Sequence, residues 1–123
     1  MTRPLLEAKQ LVVEIGGNTV VDRIDLRIAS GERVAILGRN GAGKSTLLST
    51  LAGLRPPKAG VLLLDGEDAA LLHAREAALR RAWLGQFQSD PFGSTVLETA
   101  LTGRHPHLGR WNWESTRDAE LAR

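Results

Sequence analysis

The sequence contains no cysteine and no tyrosine, and aromatic residues make up only 4% of its 123 residues. The absence of cysteine excludes disulfide frameworks, thiolate zinc sites and cysteine nucleophiles. No apolar run approaches the about 18 residues that a membrane-spanning helix needs, and residues 1–10 lack the apolar core of a signal peptide. We therefore expect a chain that does not itself enter a membrane and that lies in a reducing cytoplasm.

The charges are nearly balanced, with 16 basic and 14 acidic side chains and a net charge of +2. The two signs are interleaved along the chain, so no basic block predicts a nucleic-acid partner. The 42% of hydrophobic and 24% of charged residues are ordinary for a globular protein. The length suits one small domain or part of one.

A glycine-rich segment, GRNGAGKST, occupies residues 38–46 and contains every element of the pattern GxxxxGK[ST]. It follows an apolar run at 34–37, which is typical of a central parallel strand covered on both faces. Four leucines at helical spacing come after it: Leu47, Leu48, Leu51 and Leu54. The alternative is a glycine-rich turn that happens to precede a helix. The complete motif between a strand and a helix favours a phosphate-binding loop.

The chemistry of such a loop depends on backbone N–H groups that converge on phosphate oxygens. Glycines permit this close approach, and the following helix adds the positive end of its dipole. The residues predicted to form the nucleotide cradle are Gly38, Asn40, Gly41, Ala42 and Gly43.

The first three residues of the predicted helix add specific side-chain roles. Lys44 is expected to reach the β- and γ-phosphates, and Ser45 is expected to ligate magnesium. Thr46 is expected to hydrogen-bond near the α-phosphate. The predicted ligand is therefore a nucleoside triphosphate, ATP with Mg²⁺.

The other segments show ordinary strand, turn and helix patterns. We predict a strand at 11–15, a turn at 16–18 and a second strand in which Ile24, Leu26 and Ile28 face inward. Further along the chain we predict a strand at 61–64, a helix at 69–81 and a strand at 82–84. Two more helices are predicted, one from the capping box of Thr95 and Glu98 to Gly103 and one from Ser115.

The segment VLLLDGE at 61–67 raises the question whether Asp65 is a metal-binding aspartate at the end of a core strand. It follows Lys44 by only 21 positions and precedes Gly66, as in a tight turn. We therefore favour an edge strand and turn of a small antiparallel sheet.

The order of the pieces resembles the nucleotide-binding subunit of ABC transporters. The resemblance runs from IDLRIASGERVAILGRNGAGKSTLLSTLAGLRPPKAGVLLLDG to WLGQ and covers essentially the whole chain. It implies an α/β fold: the N-terminal portion of a P-loop NTPase core, with an antiparallel β-subdomain and the start of a helical subdomain. Residues 1–123 would form one partial nucleotide-binding domain.

The resemblance also implies further site residues. Gln86, in WLGQFQ, matches the Q-loop glutamine, whose role is to contact the magnesium or the attacking water; Gln88 is the alternative. The family usually places an aromatic residue against adenine, but no aromatic residue precedes Trp83 here. Ile15 and Val20 are the expected apolar contacts to the base.

A narrower resemblance, in LTGRHPHLGRW, points to importers of iron-siderophores, haem or cobalamin. His105 and His107 could instead suggest a metal site, but two histidines around a proline lack a third ligand. Trp83 is expected in the core. Trp111 and Trp113 could lie in the core or face a permease.

The family's mechanism implies two ATP-binding subunits that close around two ATP molecules and drive transmembrane permease subunits. The resemblance further implies that a periplasmic or extracellular substrate-binding protein takes part indirectly and that the subunit lies on the cytoplasmic, inner face of the cell membrane. The LSGGQ-type signature, the Walker B strand and the switch histidine do not occur in these residues, so we expect an N-terminal portion that binds ATP with negligible turnover. Alternatives are a non-transport ABC switch protein and an unrelated P-loop kinase or GTPase.

Overall fold

The computed structural model describes residues 3–86, 93, 95–102, 106 and 116–122. The chain divides into two units, Met1–Arg80 and Arg81–Arg123. Among the described residues, the first unit contains a four-stranded antiparallel sheet and two helices, and the second contains two short helices. The elements are β1 (Leu6–Ile15), β2 (Asn18–Ile28), α1 (Lys44–Leu51), β3 (Ala59–Leu64), β4 (Glu67–Asp68), α2 (Ala74–Arg80), α3 (Val96–Leu101) and α4 (Thr116–Ala122).

Strands β1 and β2 form the predicted hairpin, with Ile15 paired to Asn18. The two-residue turn consists of Gly16 and Gly17, which have φ values of 53° and 83°. Positive φ at both positions gives the twist that suits a hairpin turn. The first strand begins at Leu6, well before the predicted start at residue 11.

The sheet has the order β2-β1-β3-β4, and all its pairings are antiparallel. This arrangement confirms the predicted antiparallel subdomain. The prediction that residues 61–64 form an edge strand was wrong, because β3 lies between β1 and β4. The edge strand next to β3 is the short β4, whose Glu67 and Asp68 pair with Leu64 and Leu63.

Strand β1 contains a bulge at Gln10, where its register against β2 shifts between Ala8 and Leu11. Gln10 has a φ of 48°. Its backbone N–H donates to Asp25 Oδ1 at 2.8 Å, and its side-chain Nε2 donates to Asp25 Oδ2 at 2.7 Å. The carboxylate of Asp25 thus replaces strand-to-strand hydrogen bonding where the ladder is interrupted.

The core of the first unit lies where β1 and β3 meet α1. Apolar side chains from these three elements are almost completely buried: Ala8, Leu11, Val13, Leu51, Leu62 and Leu64. Helix α1 contributes Leu51 fully and Leu47 partly, whereas Leu48 remains about half exposed, as does Leu54, which lies beyond the end of the helix. The leucine spacing therefore predicted the helix correctly but overestimated how much of its surface is buried.

The end of α1 has the geometry of a glycine-terminated helix. Gly53 has a φ of 74°, and its N–H donates to Thr50 O at 3.0 Å. The N–H of Leu54 donates to Ser49 O, also at 3.0 Å. These two hydrogen bonds satisfy carbonyl groups that the helix leaves unpaired, as Gly53 in the sequence predicted.

Two predicted strands, at 34–37 and 82–84, do not form in the structure. A strand exists only when neighbours supply its ladder hydrogen bonds, and no strand of the described part of the chain pairs with either segment. Val34 and Leu37 are 49% and 90% exposed instead of covered on both faces. Trp83 is 41% exposed, so its assignment to the core was also wrong.

The helix predicted at 69–81 is shorter, because α2 begins only at Ala74. Asp68 accounts for the delay: its side chain accepts the N–H of Ala70 at 2.9 Å, and its carbonyl accepts the N–H of Leu71. This local turn competes with helix formation.

The two helices of the second unit start where the sequence predicted. Thr95 caps α3 in a capping box, since its side chain accepts the Glu98 N–H and Glu98 accepts the Thr95 N–H. Helix α4 begins at Thr116, next to the predicted start at Ser115. Within the described residues, no helix has the length and apolar character to cross a membrane.

Candidate phosphate-binding site

The glycine loop at 38–46 follows a segment that is neither helix nor strand, and its last three residues begin α1. The ammonium group of Lys44 donates a hydrogen bond to Gly38 O, across the loop. The N–H of Ala42 donates to Arg39 O at 3.1 Å, which forms a turn at the loop's tip. The hydrogen bond from Lys44 to Gly38 therefore connects the two ends of the loop and places the positive charge of Lys44 against the loop backbone.

The start of α1 is arranged to receive an anion. Gly43 is the N-cap residue, with a φ of 95° and no side-chain capping hydrogen bond, and the first turn contains no acidic residue. The first N–H groups of any α-helix have no partner within the helix. Here neither a capping side chain nor a carboxylate of the first turn competes for them, so the positive end of the helix can meet phosphate.

Gly43 also lies in direct contact with the hairpin. A Cβ atom at this position would lie 2.8 Å from Val20 Cβ and 2.9 Å from Val20 Cγ2. Only glycine fits this approach, and the φ of 95° independently favours it. The loop thus packs against β2 near the hairpin turn.

The structure places the two predicted base-contact residues at the tip of the hairpin. Val20 is partly buried and packs against both the core and Gly43. Ile15, the last residue of β1, is 38% exposed. An apolar side chain therefore remains accessible near the end of the strand.

The other loop residues differ in exposure. Asn40, Gly41, Ala42 and Ser45 are exposed, so their polar groups can meet a ligand. Thr46 is partly buried, and its carbonyl accepts hydrogen bonds within α1 from Ser49 and Thr50. The loop consequently presents an accessible surface on a packed helix.

Gln86 is exposed and belongs to the second unit, so its predicted role stays a prediction. The alternative, Gln88, lies outside the described residues. The same holds for the histidines and tryptophans of the later loop, namely His105, His107, Trp111 and Trp113.

Asp65 lies in the turn between β3 and β4 and is held by Arg3. The distance between Asp65 Oδ1 and Arg3 Nη2 is 2.7 Å, and the backbone N–H of Asp65 donates to Leu5 O. In the portion of the chain that the structure describes, no three His, Cys, Asp or Glu residues are grouped to hold a metal ion. These contacts support the turn interpretation of Asp65.

The pKa of Asp65 provides a test of this pairing. The Arg3 guanidinium lowers that pKa below its ordinary value of 3.8, first by hydrogen bonding and then by its charge. Because the folded-state pKa is the lower one, the pairing contributes full stability above the unfolded pKa. That contribution is lost as the pH falls through the folded pKa.

We expect Arg3→Ala to raise the pKa of Asp65 toward 3.8, as measured by NMR titration of its carboxyl carbon. Arg23→Ala is the matched control, because Arg23 is paired with Asp22 instead. An unchanged Asp65 pKa in the Arg3 variant would contradict the assigned cause.

No feature of the sequence predicted the hydrogen bond between Arg55 and Glu14, which lies near the site. Arg55 lies after α1, between a leucine and two prolines, and its Nη2 donates to Glu14 O at 2.6 Å. Nothing in the spacing indicates that these positions, 41 residues apart, meet in the fold. Every residue has a backbone carbonyl, so the identity of residue 14 does not indicate that its carbonyl accepts a hydrogen bond from a distant side chain.

Comparisons with known proteins agree with this architecture. The ABC transporter family matches residues 21–123. The chain is 47% identical to a hemin import ATP-binding protein of Rhodopseudomonas palustris, over 80% of this chain and 36% of that protein. It is 38% identical to a cobalamin import ATP-binding protein of Halobacterium salinarum, over 89% of this chain and 28% of that protein. It is 37% identical to a petrobactin import ATP-binding protein of Bacillus anthracis, over 94% of this chain and 42% of that protein.

A solved structure gives the same result for the fold. It is a dimeric ATP-binding cassette in a post-hydrolysis state bound to ADP and Pi, which matches with a TM-score of 0.72 and 25% identity. The match covers 95% of this chain and 53% of that one. The chain spans less than half the length of the three relatives above. The family match over most of the chain and the shared fold establish that this chain belongs to the ABC transporter family, in its ATP-binding cassette.

Proposed function

We propose that the chain binds MgATP through residues 38–46, as part of the ATP-binding subunit of an ABC importer. The observation that carries the proposal is the uncapped start of α1 beneath a glycine loop, with the Lys44 ammonium folded across it. An anion can accept hydrogen bonds from the helix N–H groups and from Lys44 together. When phosphate binds, the Lys44 ammonium would donate to a phosphate oxygen instead of the Gly38 carbonyl, and the charged oxygen is the stronger acceptor.

The residues present fit each part of the ligand. Gly38, Asn40, Gly41, Ala42 and Gly43 would form the cradle, and Thr46 would contact the α-phosphate region. Ser45, exposed in the first turn, would supply a hydroxyl oxygen to Mg²⁺. Ile15 and Val20 would contact the base, and Gln86 would approach the metal or the attacking water.

In the complete subunit, ATP hydrolysis would be water attack on the γ-phosphate. Lys44 would neutralise charge as it develops on the phosphate oxygens, and Mg²⁺, when bound, would neutralise charge on the same oxygens. We propose that residues 1–123 supply the binding half of this machinery as one partial nucleotide-binding domain. The isolated chain is then expected to bind ATP without appreciable turnover.

The named relatives support a proposal for the cargo. Those relatives import hemin, cobalamin and petrobactin. This supports a role in uptake of haem, cobalamin or an iron-siderophore rather than a non-transport switch. We propose that the subunit dimerises on ATP, contacts permease subunits at the cytoplasmic face of the membrane, and depends indirectly on a substrate-binding protein.

Calorimetric titration of the chain with ATP, in the presence and absence of Mg²⁺, tests the proposed site. We expect wild-type protein to bind ATP more tightly with Mg²⁺. Ser45→Ala is expected to lose about tenfold of that Mg²⁺-dependent gain, the order of one hydrogen bond or ligand contact. Binding of ATP without Mg²⁺ should change little.

Ser30→Ala is the matched control, since Ser30 is exposed in a turn that lies outside the glycine loop. An equal response of the Ser30 and Ser45 variants to Mg²⁺ would refute the metal assignment. A wild-type chain that binds neither ATP nor MgATP would refute the proposed function.

A further inference from the structure

Arg55 connects the segment after α1 to the tip of the β1–β2 hairpin. Its Nη2 donates to Glu14 O at 2.6 Å, in a partly buried position. The acceptor belongs to the peptide group that immediately precedes Ile15. This hydrogen bond therefore fixes the backbone from which Ile15 projects.

The hairpin tip needs such support because it extends beyond the neighbouring strand. The pairing of β1 with β3 ends at Val12, opposite Ala59. Next to this pair, the Lys58 N–H donates to Val12 O at 2.8 Å. Past this point β1 pairs only with β2 within the sheet, and Arg55 supplies a donor to the Glu14 carbonyl from outside it.

The hairpin is thus held near both ends of the helix that carries the phosphate loop. At the start of α1, Gly43 packs on Val20. After its end, Arg55 reaches Glu14. The eight residues of α1 correspond to a length of about 12 Å. Two contacts separated by a rigid helix restrict both the position and the tilt of the hairpin tip.

We infer that Arg55 is a positioning residue that sets the distance between the base-contacting tip of the hairpin and the phosphate loop. The inference rests on the proposed function, because it assigns Ile15 to the base and Lys44 to the phosphates. Arg55 itself touches neither. Its loss should weaken recognition of the nucleoside part of ATP and leave recognition of the phosphate chain intact.

The test compares two ligands, ATP and inorganic tripolyphosphate, by calorimetry on the full chain. We expect Arg55→Ala to bind ATP about tenfold more weakly, the order of one charge-assisted hydrogen bond, and tripolyphosphate within about twofold of wild type. Arg55→Lys should recover part of the ATP affinity, because an ammonium group can donate to the same carbonyl.

Arg27→Ala is the matched control. Arg27 lies in the same hairpin and pairs with Glu7, but it is at the opposite end from the turn. This variant removes an arginine from the sheet and should bind both ligands as wild type does.

A second measurement uses the coupling between Arg55 and Ile15. If Arg55 acts through the hairpin tip, Ile15→Ala and Arg55→Lys should not be additive in their effects on ATP affinity. This pair of substitutions keeps the inference testable if Arg55→Ala does not fold.

The outcomes separate the inference from the proposed function. Equal losses for ATP and tripolyphosphate, an unchanged ATP affinity, or strict additivity with Ile15→Ala would each overturn the positioning role. A wild-type chain that binds tripolyphosphate but shows no preference for ATP would overturn it as well. Failure of wild type to bind either ligand would instead overturn the phosphate site.

Discussion

Lys44→Ala is expected to reduce ATP affinity about 10- to 100-fold, the cost of removing a charged hydrogen-bond donor from a phosphate. The physical reason is the position of the ammonium group, which lies across the loop on Gly38 O and beside the start of α1. No other lysine belongs to residues 38–46, so the variant leaves only Arg39 as a charged side chain in that segment.

Lys58→Ala provides the matched control for this experiment. Lys58 is exposed, and the hydrogen bond that it makes to Val12 uses its backbone N–H, which alanine retains. Calorimetric titration with ATP and with tripolyphosphate should show the Lys44 variant impaired for both ligands. Similar ATP affinities for the Lys44 and Lys58 variants would contradict the role assigned to the loop.

Gly60→Ala is expected to destabilise the first unit by about 3 kcal/mol or more, the combined order of overpacking and a strained backbone. A Cβ at Gly60 would lie 2.3 Å from Gln10 O and 2.7 Å from Leu11 Cα. Neither neighbour can easily move. Gln10 is held by Asp25, and Leu11 is completely buried in the core.

Gly17→Ala separates the clash from the backbone strain. Gly17 has a φ of 83°, close to the 89° of Gly60, but a Cβ at Gly17 would meet no atom within 4 Å. Its replacement should cost only about 1 kcal/mol, the order of the left-handed conformation alone. Urea denaturation followed by circular dichroism measures both variants, and equal costs would show that β1 can move away from β3.

The bulge explains why Gly60 matters for the site as well as for stability. Gln10 lies in the middle of β1, and the strand beyond it leads to Glu14 and Ile15. A shift of β1 at Gly60 would move the peptide that Arg55 holds. The end of the hairpin that carries Ile15 therefore depends on a close backbone approach in the middle of the sheet.

Local sequence chemistry predicted the features that depend on only a few neighbouring residues. The glycine loop precedes α1, the turn at Gly16 and Gly17 joins a hairpin, and Thr95 caps α3. Each of these features is determined by backbone preference or by a hydrogen bond between residues close in sequence. Such interactions are visible in the order of the residues.

The segments at 34–37 and 82–84 show the limit of this local reasoning. Their apolar character predicted strands, but a strand requires partners, and those are chosen by the fold. Apolar side chains favour burial, but a run of them does not determine which other part of the chain packs against it. Leu37 is therefore 90% exposed despite belonging to such a run.

The sequence alone determined the phosphate-binding motif, its attachment to a helix and the resemblance to ABC ATP-binding subunits. Only the tertiary structure decided how β1 and β2 meet that motif, through Val20 against Gly43 and through Arg55 against Glu14. The physical reason is that these contacts join residues far apart in the chain and use shape or a backbone carbonyl. Neither leaves a signature in the identities of neighbouring residues.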